Sequence, residues 1–417
     1  MQAGRLRCTR RHDHRIALPI SVALFATSHA LVAQAPSIRD SSGVVIVQNG
    51  PINNRPAFEI ASRPTCVIRG NSGKAESDLT SVPSGFLLPD KTIVVAEARA
   101  REMRFYRCDG TLIRKFGRAG SGPGEFQNLA AAWRWKGDTI LVSQLQSGSL
   151  VVVHALSGFV RTIPLRGNVS CCFNDGSVLV SRVVSDRSPP DSRQNSEIQR
   201  FPLAFEHYVL STEAISRGQV LVVPGNETMG ESRASSPASA GVTLTRRTIR
   251  AAPFGRLTSV RPSSASIVVG EGNGFEVRLL SLEGRTKTII RAQHAPTRLT
   301  PSDVQAYKSE QTADLQGQAR EASLQALESL PFPRELPPYR RVEVDEIGRI
   351  WLELYRLPRD KAQTWVVLDR NGAQLGRVAL PRDSRVLWIG SDEIVLRQSD
   401  DEGFVTVAVY RLEKPGA

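Results

Sequence analysis

The 417-residue chain lacks most of the short patterns that mark a familiar chemistry. It has no H-E-x-x-H and no C-x-x-C, which removes the compact signatures of a zinc protease, a zinc knuckle or a redox thiol pair. There is no G-x-x-x-x-G-K-[ST], hence no P-loop. There is no G-x-S-x-G either; Gly120-Ser121-Gly122 is too short and wrongly placed for a nucleophile elbow. Histidines number only six. The net charge is +13, yet no basic run after the N-terminus exceeds a pair such as Arg246-Arg247 or Arg340-Arg341. Charge spread this thinly gives no nucleic-acid footprint, and no nucleic acid is expected as a partner. Beyond the N-terminal stretch, no segment is apolar enough to span a bilayer.

What is present begins with that stretch. Arg5, Arg7, Arg10, Arg11 and Arg15 face a single Asp13, then comes IALPISVALFATSHALVA and then Ala33-Gln34-Ala35. A basic head, an apolar middle and an A-x-A end predict an export signal over residues 1–35, with a secreted or periplasmic mature chain and no membrane-spanning segment after cleavage. Pro19 and His29 weaken a spanning helix, and no cysteine follows to carry a lipid. Removing residues 1–35 leaves 49 basic and 40 acidic residues, a net charge of +9. A basic exported protein is suited to meet anionic cell-surface polymers.

Four cysteines remain: Cys66, Cys108, Cys171 and Cys172. An even count in an exported chain favours at least one disulfide, and three pairings are open. Cys171 and Cys172 are adjacent. A bond between them needs unusual backbone geometry, so each is expected on a different side of a strand. His154, His207 and His294 do not group with these cysteines in the sequence, which argues against zinc.

The same unit then returns six times. LLPDKTIVVAEA is followed by MRFYRCDGTLIRKFG. Comparable pairs of apolar runs begin near Trp135, Phe173, Val260, Val344 and Trp388. Each has a turn with Asp, Gly or Ser, a β-branched run, a second apolar run, and often a hairpin signal such as Asp109-Gly110, Glu283-Gly284 or Asn371-Gly372. Asp-Gly and Asn-Gly supply the positive φ of a tight hairpin. Strands of four to eight residues in repeats of about 40–50 residues predict an all-β chain, a six-bladed β-propeller.

Three stretches interrupt the repeat. Residues 185–200 and 225–241 are small and polar and are expected to be loops. Residues 301–329 are rich in helix formers, with Thr300 placed to cap, Pro301 at the first helical position and Asp303 in the first turn. A short helical insertion at about 300–330 is predicted, serving as a lid, a dimer contact or a decoration on the rim. An early strand, Val44–Gln48, is expected to complete the last blade at 386–413 and so close the ring.

FGRAGSGPGEF, Phe116–Phe126, holds four glycines in eleven residues. No Lys-Ser or Lys-Thr follows them, so they are read as turn residues between one blade and the next. Lys115–Trp133, KFGRAGSGPGEFQNLAAAW, resembles the linker of NHL-type six-bladed propellers, in which F-G-x-x-G-x-G-x-G-x-F joins consecutive blades. Val94–Gly110 is similar to that family's strand–turn–strand, with Glu97 and Arg101–Met103 in the corresponding region. The clear motif covers the first unit only.

That resemblance implies binding at the central channel or on the face reached by the turns between second and third strands. In the first unit this turn is Arg99-Ala100-Arg101-Glu102, so Arg99, Arg101 and Glu102 are the binding candidates for an anionic ligand. The reading is an exported propeller that recognises a polymer, peptide or protein partner on one face, with no cofactor. The alternative is a lactonase-like, metal-dependent hydrolase or a lyase acting in the channel. It would hold Ca²⁺ or Zn²⁺ with Glu97, Asp345 and Glu353, with Asp369 a further carboxylate of this kind. A third reading is a structural module whose helices make the contact. The five tryptophans are expected to fill the wedges between blades.

Overall fold

The computed structural model describes residues 35–70, 78–144, 148–184, 199–213, 215–234, 245–400 and 402–415, with Met1. The stretch expected to be the export signal, apart from Met1 and Ala35, and most of the expected loop at 185–200 lie outside the described residues. Ala35 to Ala417 form one structural unit.

Six sheets follow one another along the chain, antiparallel except for one added edge strand. Blade 1 spans 84–116, blade 2 129–164, blade 3 168–251, blade 4 259–293, blade 5 341–381 and blade 6 385–413. The chain is a six-bladed β-propeller. The physical reason lies in the strands. Val94 packs toward blade 2, with Val142 and Val151. Its neighbours Ile93 and Val95 pack toward blade 6, with Val395 and Val407. Successive side chains point to opposite faces of a strand, so a sheet with apolar residues at every position must bury both faces. A ring of such sheets does this without a second layer. Six separate apolar clusters fill the six wedges, and the one between blades 6 and 1 closes the circle. Trp351 and Trp365 fill the wedge between blades 5 and 6 completely buried.

Closure uses other residues than Val44–Gln48. Strand β1 (Ser37–Ser41) forms a hairpin with β2 (Val44–Pro51), and β2 runs parallel to Thr286–Gln293 on the outer edge of blade 4. The chain then crosses blade 5, where Pro56 bridges Arg377. It next pairs β3 (Glu59–Ile60) and β4 (Cys66–Arg69) with Val405–Glu413 of blade 6. A disulfide from Cys66 to Cys108 ties this strap to blade 1. The last blade has only three strands of its own, so β4 supplies its outer edge.

The stretch expected as a loop at 225–241 is strand as far as Ala234. Ser216–Ala234 pairs with Gln199–Leu210 on one side and Thr245–Ala251 on the other. Residues 235–241 lie outside the described residues. The helical insertion is present as α1 (Pro301–Gln311) and α2 (Gly317–Glu328). Thr300 and Asp303 form a reciprocal capping box with Pro301 in the first turn.

Candidate functional site

The first strand of every blade lines one central channel of about 990 Å³. Strand register tells which residues stand at which end. In blade 1, Ser84 pairs with Ala96 and Glu97 pairs with Glu102. The turn 98–101 therefore sits at the end where the inner strand begins. The same holds for Glu353, opposite Arg341, and for Arg397, opposite Arg385. This end is the entry face. Both helices, which connect blades 4 and 5, attach on this side.

Of the binding candidates, Arg99 is exposed and Arg101 half-buried, with a positive φ of 58°. Among the described residues neither guanidinium has a hydrogen-bond or ion-pair partner. Glu102 differs: it pairs with Arg104 at 2.9 Å and with Lys115 at 3.8 Å. It holds the hairpin.

The candidate metal ligands do not come together. Glu97 is buried, and its carboxylate accepts the Thr80 and Ser81 backbone N–H groups, the Thr80 hydroxyl and the Arg99 N–H. Glu353 has the equivalent place in blade 5 and accepts from Arg340 at 3.3 Å and Arg341 at 3.0 Å. Asp345 lies at the opposite end of the channel, in the turn after Arg341–Val344. It accepts from Arg349, Trp351 and the Ile347 N–H. Asp369 accepts the N–H groups of Asn371 and Ala373 in a hairpin turn. Among the described residues no three His, Cys, Asp or Glu side chains form a group that could hold a metal ion. A hard cation needs several unshared oxygen ligands, and these carboxylates are occupied by protein donors. Among the described residues, these carboxylates do not fit a metal site.

The channel's charges are arranged in a ladder. Arg261 of blade 4 makes two bonds to Glu343 of blade 5, at 2.8 and 3.1 Å. Burial works to raise the Glu343 carboxyl, but Arg261, then Arg341 and Arg385, hold it below its ordinary range. Arg341 reaches Glu343 at 3.7 Å and stacks over Trp365. Sequence reasoning missed this set because its members lie far apart in the chain. The signal available was the repeated placement of Arg at the starts of inner strands, as in Arg341 and Arg385.

Trp133, Trp135 and Trp388 are half-buried. Each packs in a wedge and also lines the channel. The channel wall also holds Cys171 and Cys172. These are bonded to each other, against the expectation from their adjacency. Cys171 has φ of +89°, and the register shifts between Val169 and Cys171. This left-handed residue within a bulge turns both sulfurs to one side, where a regular strand would send them to opposite faces.

No family model matches the chain, and no curated protein matches it. Solved structures similar in fold include a Bacteroides fragilis protein described as exported. It is 12% identical, covers 88% of this chain and 100% of that one, and has a TM-score of 0.48. A DUF4221 family member from Bacteroides vulgatus is 10% identical over 86% and 99%, with a TM-score of 0.49. Regucalcin from Agrobacterium tumefaciens, described as calcium-binding, is 9% identical over 86% and 96%, with a TM-score of 0.36. No helix among the described residues is long and apolar enough to cross a membrane.

Proposed function

We propose that this propeller is an exported binding protein that recognises an anionic polymer, peptide or protein partner on its entry face. One observation carries the reading. On that face the carboxylates Glu97, Glu102 and Glu353 are held by protein donors, while among the described residues the Arg99 and Arg101 guanidiniums have no hydrogen-bond or ion-pair partner. Unpartnered guanidiniums beside neutralised carboxylates present positive potential to solvent. Guanidinium forks match carboxylate, sulfate and phosphate groups.

The test uses the mature chain, residues 36–417, immobilised and exposed to polyglutamate and to a sulfated polysaccharide at low and high salt. Binding that weakens with salt and falls about tenfold in Arg99→Gln/Arg101→Gln supports the proposal. Binding that ignores salt, or that survives both substitutions, overturns it. Export is tested separately. Fractionation should place the chain outside the cytoplasm with a terminus near residue 36; recovery only in the cytoplasm would remove the export part, and an intact Met1 on exported material would remove signal cleavage.

A further inference from the structure

A second basic feature on the entry face is concave rather than flat. Between blades 5 and 6 a pocket of about 320 Å³ is walled by Arg340, Arg356, Arg382, Arg385, Arg397 and Gln363. Its frame is built. The Arg382 guanidinium donates to the carbonyls of Pro358 (2.7 Å) and Asp360 and pairs with Glu310 of α1 at 2.5 Å. Arg356 donates to the Arg382 carbonyl and lies 3.5 Å from Asp383. The buried Gln363 amide donates to the carbonyls of Arg382 (2.8 Å) and Ser384, which pins the connection into blade 6.

Inside this frame two guanidiniums lack a direct partner. Arg385 opens the inner strand of blade 6, and Arg397 stands directly opposite it on the next strand. Like charges facing each other across an antiparallel pair destabilise a sheet. Neither guanidinium has a hydrogen bond or ion pair among the described residues. Two channel carboxylates are taken by other cations: Glu343 by Arg261 and Arg341, Glu353 by Arg340 and Arg341. Arg385 is exposed at the pocket mouth and Arg397 half-buried; partial desolvation, then Arg341 and Arg397, push the Arg385 guanidinium below its ordinary value, with Glu343 opposing. The pocket also holds an acceptor in want of a donor, since Gln363 Oε1 is buried without a partner.

We infer that this pocket binds a hydroxylated oxyanion, a sugar carboxylate or a sugar phosphate, with Arg385 and Arg397 gripping the anionic group and Gln363 Oε1 accepting from a ligand hydroxyl. Paired guanidinium forks suit the planar or tetrahedral oxygens of such groups. The bound anion relieves the repulsion between the two arginines, so binding and stability are linked. The site lies on the face proposed above for partner docking but does not depend on it. A free sugar acid fills the pocket whether or not a macromolecule docks.

The mature chain is titrated with glucuronate, glucose 6-phosphate and, as a neutral control, glucose, read by calorimetry and by thermal melt. At least one anion is expected to bind and raise the melting temperature, with glucose inert. Whichever anion binds identifies the source. In Arg385→Gln and in Arg397→Gln, affinity is expected to fall about tenfold or more. Without ligand, both variants should melt no lower than the parent, because a like-charge contact has gone. A misfolded variant would melt lower and is thereby recognised, and Arg397→Lys then keeps the charge while losing the fork. No binding of either anion, or equal binding by parent and folded variants, overturns the inference. Neither result bears on polymer docking through Arg99 and Arg101.

Discussion

Asp345 Oδ2 accepts the indole N–H of Trp351 at 2.9 Å and the Arg349 Nε–H at 2.5 Å. The aspartate side chain is fully buried. Arg349 reaches on to the carbonyls of Gly390 and Ser391 in blade 6 and lies over the Phe58 ring. One carboxylate thus couples two blades and the strap. Asp345→Ala leaves the Arg349 charge unanswered and is expected to cost about 3–5 kcal/mol. Denaturant melts check this. A chelator should leave the parent's melt unchanged, since the carboxylate's acceptors are used by Arg349, Trp351 and the turn's own N–H groups.

Gly117 settles what the glycine-rich segment does. It has φ of +92°, and a Cβ there would meet the Phe126 ring at 2.3 Å and the Arg101 carbonyl at 3.1 Å. Gly117→Ala costs about 1–2 kcal/mol from the backbone and about 1–3 kcal/mol more from overpacking. Gly137, at φ +55° with open space around it, is the control. Gly137→Ala should show the backbone part alone. Equal melting temperatures for the two variants would contradict the packing argument.

The Cys66–Cys108 bridge closes a loop with a sequence separation of 42. Replacing both cysteines by serine frees the strap from blade 1. The expected loss is about 2–4 kcal/mol, largely through the unfolded chain's added freedom. Urea melts of the variant and of the parent under reducing conditions should move the same way.

His207 is 5% exposed, and its Nδ1 has no partner. Burial pushes its pKa from 6.5 down to about 4. The unfolded chain therefore binds this proton first as pH falls. Above about pH 6.5 the residue has no effect. From there stability declines with falling pH, and the loss of about 3 kcal/mol is complete below about pH 4. In His207→Gln that part of the acid slope should disappear from melts taken between pH 7 and 4.

The six blades are legible in the sequence because a propeller strand has two buried faces. Val94 and its neighbours Ile93 and Val95 serve different wedges, so the run is apolar throughout and stands out. Capping at Thr300 is local and equally readable. The strap is not. Nothing within Val44–Gln48 says whether its partner is Thr286–Gln293 or blade 6, because backbone pairing is indifferent to which β-branched strand lies opposite. Cys171 and Cys172 mislead because the bulge that unites them leaves no mark of its own. The entry-face arginines look like dispersed charge, since Arg385 and Arg397 meet only through hairpin register and Arg261 and Glu343 only through the ring.

The strap also bears on the order of assembly. Residues 37–69 are made before any blade, yet their strand partners lie at 286–293, 377 and 405–413. Strand β2 can pair once blade 4 is made, but β3 and β4 find their partner only when Val405–Glu413 arrives. A chain cut short before Val405 keeps five complete sheets but leaves β3 and β4 with bare edges and the ring open. Ring closure is thus tied to the last blade, and a chain lacking it exposes strand edges of the kind that proteases and chaperones recognise.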